Sequence, residues 1–483
     1  MSRVLDEDGR SLHEQTKSPR LISLRVQQLL GQFDHIISYP SEWPFVILYG
    51  PNGVGKTKML ELLSATLALN VGRISRIPFA TATYRFDDGS EIHVDSGPVR
   101  QLETEAVVAG EASLKTMSIS LLRPDAQAIT WLPRAMPDES YTRYRRVIER
   151  EAPVRRLGRD LWRDMMTMES ISSQELMDRY SDLVPGARAP MADLPEDLRR
   201  FCADTSVHLI ETQRLLTADT MTEYRRVQGH DVRQLPTAVE FGRDLSRRLR
   251  EALASNSRTT QQLDRTFPRR LLAGRTPTHV TDDLIRRRYG EQNELRSRLA
   301  KIAVLELKPD LPLPDRDLKD WERGVLWTYL QDTDEKLATF RALLAKVELL
   351  GSIVNSRFLY KELQIDLEQG FRFVTSAGHE VSAGSLSSGE QHELVLAYDL
   401  LFNVKENSLV LVDEPEISLH VAWQQEFLND IVRITDLVPL RFIVATHSPQ
   451  VIHKWWERAI ALTPDLDFGP VALNSDPDFG TST

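Results

Sequence analysis

The chain has almost no cysteine. Cys202 is the only one in 483 residues, which excludes an intrachain disulfide and a cysteine-rich zinc site. Long hydrophobic runs are missing as well. FVIL at 45–48 and SLVLV at 408–412 are far too short to cross a bilayer. The opening MSRVLDEDGR carries no apolar signal segment, so a cytoplasmic protein without a membrane role is expected. There is no basic excess. Lys and Arg number 60 against 70 Asp and Glu, a net charge of −10. That argues against a uniformly cationic surface but leaves room for a local anion-binding patch. No internal repeat is apparent. Residues 140–200 are dense in charges of both signs, yet they hold no His/Asp cluster suited to a catalytic metal. That stretch reads as helices and loops.

What is present begins with enough apolar residues, 41% of the chain, to build a real core. At about 150 residues per domain the length suits roughly three units, or one large domain with an insertion. PFVILY at 44–49 is a short apolar run of strand formers, GPNGVGKT follows at 50–57, and KMLELLSATLAL at 58–69 has apolar residues at helical spacing. Strand, glycine-rich turn and helix are the setting of a phosphate-binding loop. The pattern G-x-x-x-x-G-K-T is met by Gly50, Gly55, Lys56 and Thr57, with Pro51, Asn52, Gly53 and Val54 between them. Glycines let backbone N–H groups turn toward phosphate oxygens. A helix start near Gly55 adds further N–H donors. Lys56 is expected to reach the β- and γ-phosphates of ATP, and Thr57 to offer its hydroxyl to Mg²⁺. Residues 79–95, FATATYRFDDGSEIHVD, alternate about an Asp88-Gly89 turn and read as a hairpin in an adjoining antiparallel layer.

Three later stretches extend the pattern. LVLVDEPEISLH at 409–420 is a strand that delivers Asp413 and Glu414 at its C-terminal end, where ligands of open α/β sheets bind. Asp413 suits a metal ligand and Glu414 suits polarising a water. RFIVATHSPQVI at 441–452 puts His447 just past another apolar strand, where it could sense a γ-phosphate. SLSSGEQHELVLAYDL at 385–400 is a second small, polar turn before a helix, with Ser387, Ser388 and Gly389 at the turn.

Together GPNGVGKT, SLSSGEQ, LVLVDEPEISLH and ATHSP resemble the ABC-type ATPase head, in the bacterial branch related to Rad50, SMC and the OLD-type ATPases. The resemblance implies an α/β fold: an ABC-type P-loop ATPase head with an adjoining antiparallel β layer and an inserted helical subdomain. It makes Ser387, Ser388 and Gly389 the signature loop, Asp413 the Walker B acid, Glu414 the catalytic glutamate and His447 the switch histidine. SLH at 418–420 stands where the D-loop is expected, with His420 in place of the commoner aspartate, and LSSGE departs from LSGGQ at Ser388 and Glu390. Gln213, after the strand-like SVHLI, matches the glutamine that contacts Mg²⁺ and reports to the inserted domain, with Gln127 as its rival. Phe33, Tyr39 and Trp43 are all available to stack on adenine. In such heads the signature loop completes the ATP site of the opposite subunit, which implies a homodimer or a higher even-numbered homo-oligomer.

The expected division is 18–216 for the first part of the head, 217–352 for the inserted arm and 353–483 for the rest. Within the insert, 236–256, 278–307 and 319–350 read as helices, the last as one or two, with a break at PDLPLPDRD. A thirty-residue helix is about 45 Å long, which suits a compact arm and falls well short of an extended coiled coil. Residues 241–300 hold 14 arginines against seven carboxylates. An arginine face there could grip a nucleic-acid backbone, dock an acidic partner, or be a solvated surface, and there is no aromatic interleaving of the kind that suggests base stacking.

The implied activity is hydrolysis of ATP to ADP and phosphate with Mg²⁺, used as a switch. OLD-type proteins carry a C-terminal Toprim nuclease, whereas only 36 residues follow His447 here, so a nuclease effector would be a separate protein. The architecture resembles standalone ATPase subunits of bacterial anti-phage systems of the Septu-like, PARIS-like and retron-associated kinds. A DNA-repair or chromosome-maintenance ATPase is the alternative. A transporter subunit fits less well, given the insertion and the EPEISLH pattern. A scaffold with a dead site is disfavoured by the intact Lys56, Asp413, Glu414 and His447.

Overall fold

A computed structural model describes residues 18–96, 117–133 apart from 125, short stretches between 146 and 183, 193–211, 237–273, 279–302, and 312–462 apart from 418. They fall into two compact units. The first lies within Met1–Pro137, Gly186–Leu209 and Ile443–Thr483, and the second within Asp138–Pro185 and Ile210–Phe442.

In the first unit, β1 (Leu21–Leu29) and β2 (Phe33–Ser38) pair antiparallel. β3 (Phe45–Tyr49) leaves them for a second sheet. Phe45, Val46, Ile47 and Leu48 are fully buried, as a continuous apolar run requires of a strand covered on both faces. β3 pairs in parallel with Ala459–Ala461, Ile47 opposite Ala459, and its other neighbour is the strand Arg441–Thr446. Then come α1 (Lys56–Leu67) and α2 (Val71–Arg76). α1 buries Met59, Leu60, Leu62 and Leu63, the i, i+1, i+3, i+4 set of a helix with one broad apolar face.

β4 (Thr81–Phe86) and β5 (Glu91–Asp95) form the expected hairpin about Asp88-Gly89. Ala82, Tyr84 and Phe86 face the core, as alternation in TATYRF dictates. With β6 (Ser118–Leu122) and β7 (Ile129–Trp131) they complete a six-stranded antiparallel sheet in the order β2-β1-β4-β5-β6-β7.

Residues 140–200 depart from expectation. β8 (Val154–Arg156), β9 (Leu161–Asp164) and β10 (Ser170–Ser172) form a small antiparallel sheet, followed by α3 (Glu196–Asp204) and β11 (Val207–Glu211). Strands of three or four residues are too short for period-two alternation to stand out among so many charges.

Among its described residues the second unit contains three long helices: α4 (Thr237–Ala273), α5 (Asp282–Lys301) and α6 (Asp320–Asn355). α4 outruns the expected 236–256 by continuing through Pro268. Thr266 Oγ1 and Arg270 Nη2 both donate to the Leu263 carbonyl, one position before the Asp264 carbonyl whose ladder donor the proline lacks. Residues 319–350 form one helix, and it runs on to Asn355. β12 (Lys361–Asp366), β13 (Gly370–Thr375) and β14 (Glu380–Val381) follow as an antiparallel sheet. Gly370 is required at the turn. Its φ is +76°, and a Cβ there would meet the Gly242 carbonyl of α4, so hairpin and helix approach with no room for a side chain. α7 (Ser388–Tyr398), β15 (Leu409–Asp413) and α8 (Val421–Leu437) complete the unit. Among the described residues, no helix is long and apolar enough to cross a membrane.

Candidate nucleotide site

The two units carry separate sets of the residues singled out by sequence. The first unit holds Gly50–Thr57 at the end of β3 and His447 just past the neighbouring strand Arg441–Thr446. Gly55 caps α1 with a φ of 92°. This left-handed turn strains any residue with a Cβ, and Leu29 already fills the space, 2.7 Å from where one would lie. The Lys56 ammonium turns back over the loop, donating to the carbonyls of Gly50 at 2.8 Å and Pro51 at 3.0 Å. Thr57 is in the first turn of α1. His447 is exposed, and Ser448 N donates to Thr446 Oγ1 before Pro449 opens a short helix.

The three aromatics differ in surroundings. Tyr39 is buried and donates its hydroxyl to the Pro44 carbonyl. The Trp43 ring carries the Arg458 guanidinium 5.7 Å from its centroid. Phe33 is half-buried and stacks on His35, whose Nε2 is 2.8 Å from the P-loop carbonyl of Val54. Gln127 is exposed in the β6–β7 connection. Gln213 lies outside the described residues.

The second unit holds Ser387, Ser388 and Gly389, expected from the sequence to form a signature loop, and the acidic pair Asp413 and Glu414. Ser387 caps α7 within a reciprocal capping box: its Oγ accepts from Glu390 N, and Glu390 Oε2 accepts from Ser387 N at 2.9 Å. Lys361 Nζ reaches both Glu390 oxygens, at 2.9 and 2.8 Å. Burial works against the charged form, yet hydrogen bonds from Lys361 and Ser387 hold the Glu390 carboxyl below its usual range. The glutamate that departs from the commoner glutamine therefore braces the loop. Ser387-x-x-Glu390 is a capping-box pattern visible in sequence, and sequence reasoning missed it. Lys361 had no such signal.

Asp413 ends β15, half-buried, and Glu414 follows with a φ of 47°. A left-handed glutamate costs on the order of 1–3 kcal/mol, and such strain clusters at functional sites. His420 caps α8, its Nδ1 accepting from Ala422 N, so a ring nitrogen here does the capping that aspartate often does.

A strand, a glycine-rich turn and a lysine-threonine helix start within an α/β fold with adjoining antiparallel sheets make up a P-loop nucleotide-binding fold. Residues 233–453 match the family described as "AAA domain, putative AbiEii toxin, Type IV TA system", a stretch that includes the signature loop, Asp413, Glu414 and His447. Among solved structures the chain is similar to the Smc head domain with an extended coiled coil bound to the C-terminal domain of ScpA from Pyrococcus furiosus, at 12% identity over 92% of this chain and 93% of that one, TM-score 0.34. It is also similar to an SmcHead bound to the C-winged helix domain of ScpA, at 11% identity over 92% and 94%, TM-score 0.33. A third is the SMC head domain of Thermotoga maritima, at 12% identity over 91% and 92%, TM-score 0.28.

Proposed function

We propose that this chain is an Mg-ATP-dependent ATPase switch. ATP draws two copies together, hydrolysis to ADP and phosphate releases them, and the cycle regulates a separate effector protein such as a nuclease in bacterial anti-phage defence. The reading places its action in the cytoplasm. The observation that carries it is the P-loop: a buried strand, a turn of permissive glycines, Lys56 drawn over the loop and a helix N-terminus at Gly55. These residues fit a polyphosphate, and Mg²⁺ would neutralise the charge gathered on its oxygens.

Lys56 binds the phosphates, while Thr57 and Asp413 serve the metal. Glu414 orients the attacking water, His447 meets the γ-phosphate, and Ser387, Ser388 and Gly389 engage the nucleotide of a second copy. Gln213 keeps its metal role in this reading, since Gln127 sits in an exposed turn of the antiparallel sheet. Phe33 is favoured as the adenine platform by its place beside His35 and the loop. The toxin–antitoxin wording of the matched family supports a defence setting.

The DNA-clamp alternative keeps one specific support. Arg243, Arg258, Arg265 and Arg269 on exposed positions of α4 make no ion pair among the described residues. Many of the other arginines are committed, Arg270 to Asp332, Arg288 to Asp334 and Arg298 to Glu348. The primary test is calorimetric titration of the purified chain with Mg-ATP, alongside phosphate release. Wild type should bind and turn over, and Lys56→Ala should do neither. Binding that survives Lys56→Ala unchanged would remove the P-loop from the account.

A further inference from the structure

The β1–β2 ribbon buttresses the P-loop from one side. Leu29 of β1 closes the space beside Gly55. On β2, His35 is 4% exposed, pairs across the ribbon with Val26, and lies ring to ring with Phe33 at 5.8 Å. Its Nε2 is 2.8 Å from the Val54 carbonyl oxygen. A carbonyl only accepts, so Nε2 carries the proton in this bond.

We propose that His35 is a positioning residue of the nucleotide site, holding the Val54–Gly55 peptide so that the Gly55 N–H is presented to a phosphate. The inference rests on the P-loop reading. In a planar trans peptide the C=O and the following N–H point in opposite directions. With the Val54 oxygen turned toward His35, the Gly55 N–H is turned away from it. Val54 lies between Gly53 and Gly55, with φ of +89° and +92°, and glycine crosses between conformations with little steric resistance. An unanchored peptide here is free to flip. A flipped one would offer a carbonyl oxygen where a phosphate needs a donor. Lys56 holds the carbonyls of Gly50 and Pro51, and His35 holds that of Val54 from outside the loop.

The test compares the full-length chain with His35→Phe, which keeps a ring and removes the donor, and His35→Gln, whose side-chain amide can restore it. Mg-ATP and Mg-ADP binding are measured by calorimetry, and KM and kcat by phosphate release. His35→Phe should raise Kd for both nucleotides by about 5- to 10-fold, the scale of one hydrogen bond, and raise KM with kcat nearly unchanged. His35→Gln should return Kd to within about 2-fold of wild type, as a restored donor predicts. If His35→Phe does not fold, His35→Met takes its place. An unchanged Kd in the donorless variant overturns the proposal, as does an equal loss in both variants. A reduced fraction of binding sites at unchanged Kd also overturns it, since that is the mark of a purely structural role. Wild type that fails to bind Mg-ATP would overturn the P-loop reading and this one with it.

Discussion

At the scale of one residue, the proposed role of Glu414 and its backbone strain can be separated. Its φ of 47° is held by the fold directly after the β15 strand. Glu414→Gln should leave Mg-ATP binding intact and slow turnover by about 100-fold or more, the usual share of a positioned acid–base group. Glu414→Gly should also stop turnover, yet unfold at a temperature no lower than wild type, because glycine accepts the left-handed turn. Paired turnover and thermal-melt measurements separate the two effects.

His392 makes stability depend on pH. Burial pulls its imidazole down from 6.5 to about 4. The unfolded chain therefore binds a proton in the window between those values while the folded chain does not. Stability is fully present above the upper value and falls as the pH drops through the window. Denaturant titrations at pH 7 and pH 5 should differ by about 2 kcal/mol from this group. His392→Leu should abolish that part of the difference.

At the scale of elements, the second unit is held by a buried ionic cluster. Arg357, just beyond α6, pairs with Glu393 of α7 and Asp430 of α8. Arg433 adds a bond to Asp430 at 3.2 Å and one to Ser352 of α6 at 2.7 Å. Burial lowers the Arg357 guanidinium to about 10, so it remains a cation at neutral pH between two carboxylates. This ties the base of the long helices to the helix behind the signature loop and to the helix His420 caps. Arg357→Met should cost about 3–5 kcal/mol, because it takes the buried cation from Glu393 and leaves Asp430 with Arg433 alone. The triple change Arg357→Met, Glu393→Gln and Asp430→Asn should recover much of that stability in urea melts. A single variant as stable as wild type would mean the cluster is not structural.

The long helices use charge in a similar way. The excess of arginine in 241–300 is met by acids from α6, such as Asp332, Asp334 and Glu348. Much of what reads as a basic surface is cross-helix stitching, which no local count of charge reveals.

For the whole molecule the decisive question is assembly. Mass measurement with Mg-ATP should show a dimer or a larger even-numbered oligomer of the wild-type chain, and a smaller species without nucleotide. Ser387→Arg should bind Mg-ATP as a monomer and fail to associate or turn over. Normal ATP-driven association in that variant would sink the two-copy site.

Much of this protein was determined by its sequence alone. The P-loop, the β4–β5 hairpin, the strands before Asp413 and His447, and the helix after Ser387 are legible because each depends on local rules: apolar runs, alternation, turn dipeptides and helical spacing. The reach of α4 through Pro268, the strands at 154–172 and the pairing of the arginines were decided only by tertiary structure. So were the left-handed Glu414 and the bond from His35 to Val54. The arginine pairing depends on partners far along the chain, such as Asp332 for Arg270, 62 residues away. Local propensity carries no record of such partners, because they become neighbours only when the chain has packed.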